Sequence, residues 1–406
     1  MTAGPRGPLT GVRVVDLTQM LAGPFATALL ADLGADVIKV ESPSGDFIRD
    51  QGPFPEDDEV RAYGGYFQSV NRNKRGIVLD LATDAGRAAL LRLVEDADLV
   101  IENFRSGVME RLRLSYETLR EHNPRLVYGA IRGFGDARTG DSPMRDWPAY
   151  DITAQAMSGF MEITGAADGP PTKAGPGIGD TVPALFLVAG VLAALHRARE
   201  TGEGEFVDVA MYDALLAMCE RSVYQYSYTG IAPTRQGNAH SLLSPFDTLP
   251  TADGWVTIAA PTDAQWSRLA TLIGRPDLVE DPRLRTASVR VRNGELVRTV
   301  LVEWTGARPL AEVVAVLGGK VPVGPVQNAE MIFGDPHVAA RAMLVEVEQP
   351  GYARPVTIVG SPIKFAGLPA QAPRRAPLLG EHTREVLRAA GLDEPVPFAE
   401  GEIKSA

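Results

Sequence analysis

The 406-residue chain contains few cysteines and histidines, and each shortage excludes a class of protein. A single cysteine, Cys219, rules out an internal disulfide and is typical of proteins in reducing compartments. Its neighbours are apolar, so we expect it to pack in a core. The five histidines are scattered, and no pair has the spacing of a zinc site. Disulfide scaffolds and zinc hydrolases are therefore not expected.

Several enzyme classes are excluded by missing motifs. The chain has no P-loop and no G-x-S-x-G elbow, and Pro24 interrupts the turn where a G-x-G-x-x-G would follow the first strand. The stretch 175–180 is similar to that dinucleotide-binding motif, but no strand pattern precedes it. Asp180 also occupies a position where a bound pyrophosphate needs hydrogen-bond donors and not a carboxylate. Kinase and dehydrogenase activities are therefore not expected.

The rest of the composition is that of an ordinary soluble protein with a net charge of −11. This charge disfavours nucleic acid as a partner. Residues 1–10 lack the apolar core of a signal peptide, and the longest apolar run, Val182–Leu195, is shorter than a bilayer span. We expect a cytoplasmic protein with no membrane partner.

Alternating strand and helix patterns predict an open, parallel α/β sheet over the first 200 residues. The prediction is a large Rossmann-like α/β domain built from both chain ends, with a small α+β domain between them. The large domain takes 1–220 and 330–406, and the small domain takes 240–325. Predicted strands in the first part cover 12–16, 36–40, 76–81, 98–101, 126–131 and 206–211, with helices over 22–33, 84–95, 115–122 and 213–228.

The most specific local feature is the glycine-rich stretch Gly175–Asp180, which leads directly into a long apolar helix pattern. We predict Asp180 as the N-cap of this helix, Pro183 in its first turn and Gly202 just beyond its end. Capping is the commoner role of such an aspartate. The alternative role is a nucleophile, because the glycines leave the carboxylate uncovered and the helix dipole favours its ionised form.

Taken together, five blocks of sequence resemble the family III CoA-transferases, a group that includes formyl-CoA and carnitine CoA-transferases and α-methylacyl-CoA racemases. No single block is sufficient, but the match runs in order along nearly the whole chain. The blocks are 9–41, 71–81, 102–111, 150–180 and 376–383.

This resemblance implies an activity and a set of contacts. Asp180 is then the nucleophile of a CoA-transferase that forms an interlocked homodimer. Acyl-CoA and a small carboxylic acid are the substrates, and no cofactor is permanently bound. By position, the residues implied in CoA binding are Leu21, Ala22, Leu79, Asp80, Asn103, Phe104, Arg111, Ala149, Tyr150 and Asp151.

The implied mechanism is covalent. Asp180 attacks the thioester to give a mixed anhydride, the CoA thiolate returns to give an aspartyl-CoA thioester, and an incoming carboxylate reverses the sequence. The amides of the glycine loop are candidates for holding the oxyanion. An acyl-CoA racemase is an alternative, although Tyr150 replaces the histidine that racemases of this group carry. A non-catalytic CoA-binding protein is a third possibility.

Two assignments stay open. The cluster Arg72, Lys74 and Arg75 either contacts phosphates of CoA or belongs to a solvated turn. The second concerns the acid, since formyl-CoA:oxalate enzymes resemble this chain but carry glutamine at the position of Leu21. The apolar residues Leu21, Leu242 and Leu243 disfavour oxalate, so we expect a larger or less polar acid, such as a dicarboxylate bound through His240 or Ser241.

Overall fold

The computed structural model describes residues 7–368 and 373–392, which form two compact units. Unit 1 contains the described residues up to Phe160, then Ala174–Tyr224, then those from His337 onward. Unit 2 contains Met161–Lys173 and Gln225–Pro336. The outer bounds predicted for the large domain, 1 and 406, lie outside the described residues.

Unit 2 extends beyond the bounds 240–325 of the predicted small domain. The additional segment 161–173 is tied to it by several contacts within the unit. The Gly237 amide donates to the Gly165 carbonyl at 2.9 Å, and Arg235 forms an ion pair with Glu162 at 3.0 Å. Sequence periodicity does not reveal such a segment, because it is separated from the rest of its unit along the chain.

Strands and helices alternate along unit 1, whereas unit 2 is mainly helical with a small sheet. The strands are β1 (Arg13–Asp16), β2 (Asp36–Glu41), β3 (Arg75–Val78), β4 (Leu99–Glu102), β5 (Val127–Arg132), β6 (Glu205–Ala210), β7 (Phe246–Pro250), β8 (Trp255–Ala259), β9 (Val323–Pro325), β10 (Leu344–Val347) and β11 (Val356–Val359). The helices are α1 (Ala22–Asp32), α2 (Gly65–Asn71), α3 (Asp84–Glu95), α4 (Val108–Arg111), α5 (Tyr116–His122), α6 (Asp151–Met157), α7 (Ile178–Thr201), α8 (Met211–Met218), α9 (Glu220–Thr229), α10 (Asp263–Leu272), α11 (Asp277–Glu280), α12 (Ala287–Arg292), α13 (Gly294–Gly306), α14 (Leu310–Leu317), α15 (Ala329–Phe333), α16 (Pro336–Ala340) and α17 (Thr383–Ala389).

The six strands β1 to β6 form one parallel sheet in the order β3-β2-β1-β4-β5-β6, which confirms the predicted α/β class. Successive side chains of a strand point to opposite faces of the sheet, so neighbouring residues pack in two different apolar clusters. Val14 packs in the cluster that contains residues of α1 and α7, and Val15 packs in the one that contains residues of α3 and α17. The strand order reverses between β1 and β4, and ligands of such sheets bind at that point, beyond the carboxyl ends of the strands.

Helix α7 is longer than the apolar run Val182–Leu195 indicated. Its mean hydropathy reaches 2.0 over 18 residues, so by length and composition alone it could cross a membrane. In the structure, 44% of that window is buried, and its residues join those of α1, β5 and α8 in one core cluster. These contacts are those of a core helix.

The helix predicted over 213–228 is two helices, α8 and α9, which meet at Cys219. The Cys219 amide bonds to the Leu216 carbonyl at 2.9 Å, a tightened turn that ends α8. Its side chain is 1% exposed, which confirms the packing role expected of it, and burial raises the pKa of its thiol.

Unit 2 has its own core around Trp266, which packs against the antiparallel sheet of β7, β8 and β9. Helix α10 begins at a capping box, in which Thr262 and Gln265 satisfy each other's backbone amides. Arg290 is fully buried, and its guanidinium donates to the carbonyls of Ser244, Leu284 and Pro261. These contacts fix the end of the loop that precedes β7.

Candidate active site

Most of the predicted site residues in unit 1 follow the carboxyl ends of parallel strands. Residues 21–22 follow β1, residues 79–80 follow β3, and residues 103–104 follow β4. Residues 149–151 come after β5 and lead into α6. The sheet therefore brings these segments to one edge, as is usual for ligand sites of this topology.

Asp180 is the third residue of α7 and not its N-cap, so the capping prediction was wrong. The N-cap is Gly177, and Pro183 lies inside the helix instead of in its first turn. Gly202, with φ of 76°, ends the helix as predicted. Asp180 is half-buried at the positive end of the helix dipole, which favours its ionised form.

The capping function belongs to a different carboxylate, that of Asp151. Its Oδ1 accepts a hydrogen bond from the Gly179 amide at 2.7 Å and another from Gln155 Nε2 at 2.8 Å. Gln155 Oε1 in turn accepts from the Ala174 amide at 2.9 Å. The contacts give Asp151, predicted to bind CoA, a structural role in joining α6 to the loop before α7.

Three side chains converge on Gly177. A Cβ atom at this position would lie 3.0 Å from Leu21 Cδ2, 3.5 Å from Asp180 Oδ2 and 3.9 Å from Asp151 Cγ. A side chain at this position would crowd the end of the Leu21 side chain, which would have to shift by a few tenths of an ångström. The structure thus brings together Leu21, Asp151 and Asp180, three residues that the sequence resemblance singled out.

Tyr66, on α2, belongs to the same group, although no motif marks it. Burial raises the pKa of its phenol to about 12, and the negative charges of Asp180, Asp46 and Asp151 act in the same direction. The phenol therefore stays protonated near neutral pH and can donate a hydrogen bond. Sequence reasoning missed it because a tyrosine on an amphipathic helix is most simply explained as core.

Several predicted CoA contacts have other functions in the structure. The Leu79 side chain is 1% exposed and packs in the core, so it offers a ligand only its backbone. Ala22 is buried as well, and Phe104 is half-buried against the same core cluster as Leu79. Asn103 exchanges two hydrogen bonds with the Gln19 backbone, at 2.8 and 2.7 Å, and so joins the loops after β1 and β4.

The other predicted contacts are more open to solvent. Asp80, Tyr150 and Arg111 are exposed, and Ala149 is half-buried. Arg111 forms no ion pair within the part of the chain that the structure describes, which leaves its guanidinium available to an anion. Ala149 packs against Gly133, where a side chain would collide with it.

The basic cluster is neither a phosphate site nor a solvated turn. All three side chains are held by carboxylates, and Arg72 and Lys74 are buried. The ion pairs are Arg72–Asp32 at 2.6 Å, Lys74–Asp16 at 3.0 Å and Arg75–Asp36 at 2.6 Å. Within residues 7–368 and 373–392, no group of three or more His, Cys, Asp or Glu side chains is placed to hold a metal ion.

In unit 2, His240 accepts a hydrogen bond at Nδ1 from the Leu242 amide at 3.1 Å, and its ring packs on Phe246 with 5.2 Å between centroids. Since Nδ1 is an acceptor, we assign the proton of the neutral ring to Nε2, which is then a donor. Next to it, Ser241 Oγ is buried and has no hydrogen-bond partner among the described residues. Both side chains therefore have unused donors.

Known proteins resemble this chain along almost its full length. Residues 9–383 match the model of CoA-transferase family III. The chain is 53% identical over 387 residues to the succinyl-CoA:mesaconate CoA-transferase of Haloarcula marismortui, covering 95% of this chain and 97% of that protein. It is 40% identical over 393 residues to the succinate–glutarate CoA-transferase of Agrobacterium fabrum, covering 94% and 95%. A crystal structure of a CaiB/BaiF family protein from Brucella suis matches with a TM-score of 0.83 at 35% identity, covering 95% of this chain and 100% of that one.

Proposed function

The chain belongs to CoA-transferase family III and is a CoA-transferase, and we propose that Asp180 is the nucleophile through which it moves CoA from an acyl-CoA to a carboxylic acid. The observation that carries this proposal is the division of labour at the start of α7. Asp151 caps the Gly179 amide, and Asp180 lies at the positive helix end with its carboxylate next to Gly177.

The reaction proceeds by two exchanges at one carboxylate. Asp180 attacks the thioester carbonyl, the C–S bond breaks, and a mixed anhydride and CoA thiolate form. The thiolate then attacks the aspartyl carbonyl and releases the donor acid as a carboxylate. The acceptor carboxylate attacks the resulting aspartyl-CoA thioester, and the displaced thiolate takes the acceptor's acyl group and regenerates Asp180. No net proton or electron is gained or lost.

Two donors near Asp180 are suited to the oxyanions that form. The Tyr66 phenol is protonated, and the Gly177 amide donates to no backbone carbonyl of the described residues. The Gly179 amide is already bonded to Asp151, so it is not one of the glycine-loop amides proposed to hold the oxyanion. Preorganised donors of this kind contribute about 3 kcal/mol each to transition-state stabilisation.

CoA itself is proposed to lie along the carboxyl edge of the sheet, with Arg111 on a phosphate. Its exposed guanidinium is suited to a charge-assisted, bidentate bond. We also propose a cytoplasmic homodimer. Support for the dimer comes from α9, which has no buried residue and exposes Val223, Tyr224, Tyr226 and Tyr228, the last at 89%.

The acids are proposed to be short dicarboxylic acids. The two relatives described above are named for succinyl-CoA, mesaconate, succinate and glutarate, and the acid in each of these names is a dicarboxylic acid. His240 Nε2–H and Ser241 Oγ–H are donors of the kind that a carboxylate accepts. These donors make His240 and Ser241 the proposed residues for one carboxylate of the acid.

Replacing His240 with alanine is expected to raise the KM for glutarate about tenfold, the effect of losing one hydrogen bond to a charged group. Butyrate, which lacks the second carboxylate, should lose no comparable affinity. Initial rates with each acceptor measure both constants. His196→Ala, at an exposed position on α7, is the control. Equal losses for glutarate and butyrate would contradict the proposed contact.

Covalent trapping tests the nucleophile directly. The protein is incubated with succinyl-CoA, reduced with borohydride, digested and analysed by mass spectrometry. Reduction of an aspartyl thioester converts the side chain to an alcohol, so the peptide that contains Asp180 is expected to show the mass of homoserine at that position. Modification of a different peptide, with that of Asp180 unchanged, would overturn the assignment.

The racemase alternative makes a different prediction in deuterated water. Racemisation exchanges the α-proton of a 2-methylacyl-CoA, whereas transfer leaves it in place. Tyr150, at the position of the racemase histidine, is exposed at the start of α6. We expect no gain of one mass unit in the recovered acyl group during many transfer turnovers.

A further inference from the structure

The turn that joins β1 to α1 rests on four buried charged side chains that the reaction does not use. They form two ion pairs, Lys39–Asp46 at 3.1 Å and Lys74–Asp16 at 3.0 Å. All four are nearly inaccessible to solvent. Buried ion pairs are often no more stabilising than apolar residues of similar size, so stability alone does not explain them.

The Lys39–Asp46 pair is bonded to the backbone of this turn on both sides. Lys39 Nζ donates to the Thr18 carbonyl at 2.8 Å. Both carboxylate oxygens of Asp46 lie 3.3 Å from the Met20 amide and accept from it. One buried pair therefore fixes a carbonyl and an amide that are two residues apart.

Met20 needs such support because its backbone is left-handed, with φ of 65°. This region is costly for a residue with a side chain, and it persists only where surrounding contacts enforce it. The next residue is Leu21, whose Cδ2 lies 3.0 Å from the Cβ position of Gly177. Met20 thus sets the direction in which Leu21 meets the loop that holds Asp180.

We propose that Lys39 and Asp46 are positioning residues for the transfer reaction. They hold Met20 in its left-handed conformation and so keep Leu21 packed against Gly177, beside the carboxylate of Asp180. The inference rests on the proposed function of Asp180, since the packing of Leu21 against Gly177 affects the reaction only if Asp180 is the nucleophile. Neither residue touches the substrate.

Two double variants separate positioning from stability. Lys39→Met/Asp46→Asn removes both charges but keeps an oxygen that can accept from the Met20 amide. Lys39→Met/Asp46→Leu removes the charges and the acceptor. Neither variant contains an unpaired buried charge, so both are expected to fold. Arg72→Met/Asp32→Leu is the matched control, because it removes a buried ion pair that does not contact the turn.

The readout is the single-turnover rate at which Asp180 forms its CoA thioester from succinyl-CoA, measured by borohydride trapping, together with kcat, KM and Tm. The leucine variant is expected to lose about 100-fold in trapping rate and kcat with little change in KM, the typical effect of a displacement of about 1 Å. The control should stay within about threefold of the wild type, because its turn keeps both bonds. The asparagine variant loses the Lys39 bond to the Thr18 carbonyl but keeps an acceptor for the Met20 amide, so it should lose clearly less activity than the leucine variant. Equal rates in the leucine and asparagine variants would overturn the proposal, as would an equal loss in the control.

A second pair of variants leaves the buried charges intact. Met20→Val strains the left-handed turn and is expected to lower kcat about tenfold, whereas Met20→Gly adopts that conformation freely and should retain activity. Equal kcat values in these two variants would also contradict the proposal. Failure of the proposed function looks different, because the wild type itself would then give no modified Asp180.

Discussion

Replacing Asp180 with asparagine is expected to lower the rate of CoA transfer by about 10⁴-fold or more, the loss seen when a covalent nucleophile is removed. Asparagine has nearly the same shape, but its neutral amide does not attack a thioester. The fold should survive, since Asp151 and not Asp180 caps α7. The loss of one charge at a helix start changes the free energy of unfolding by about 0.3–1 kcal/mol.

Initial rates of transfer from succinyl-CoA to glutarate, together with thermal unfolding, check this result. Asp84→Asn is the matched control, because it neutralises an exposed aspartate in the first turn of α3. Both variants should have a similar Tm, and only Asp180→Asn should be inactive. If Asp180→Asn kept more than about a tenth of the wild-type rate, the covalent mechanism would be wrong.

The second large effect is expected from a single methyl group at Gly179. An alanine Cβ there would lie 2.6 Å from the Asp151 carbonyl oxygen and 2.9 Å from its Cα. Both atoms belong to backbone, so no side chain can rotate away, and α6 and the start of α7 must separate. We expect kcat to fall about 100-fold, because Asp180 moves with the helix start.

Gly175→Ala is the control for this substitution. It adds the same methyl group to the same loop, where nothing lies within 4 Å of the new atom. Its kcat should match the wild type, and its Tm should be unchanged. Gly179→Ala should also unfold more easily, by about 1–3 kcal/mol, as overpacked sites do. Equal activity of the two variants would show that the contact with Asp151 does not position the nucleophile.

The sheet and most helices of unit 1 were predictable because their patterns are local. Apolar alternation and helix periodicity locate strands and helices to within a few residues. Leu79, expected at the ligand edge, follows the same alternation. Ile77 and Leu79 are two positions apart and enter the same core cluster, so the period of two places Leu79 inside and not at the ligand edge.

The contacts that define the site were not predictable, because they join residues far apart in the sequence. Asp151 caps an amide 28 residues further along the chain, and Arg72 pairs with Asp32 across 40 residues. No local pattern distinguishes an aspartate that caps its own helix from an aspartate in a helix that a distant residue caps. The same applies to Tyr66, which three carboxylates influence from other segments.

Unit 1 is built from segments that are separated along the chain, and this has a consequence for its biosynthesis. Helix α17, near the end of the chain, completes the core cluster that also contains β3 and α3, and the His382 amide bonds to the Gly76 carbonyl at 2.9 Å. While the ribosome translates unit 2, the residues of β3 and α3 that later contact α17 are therefore not yet covered by it. The core cluster is complete only after α17 has been synthesised, and partly formed cores of this kind expose apolar surface.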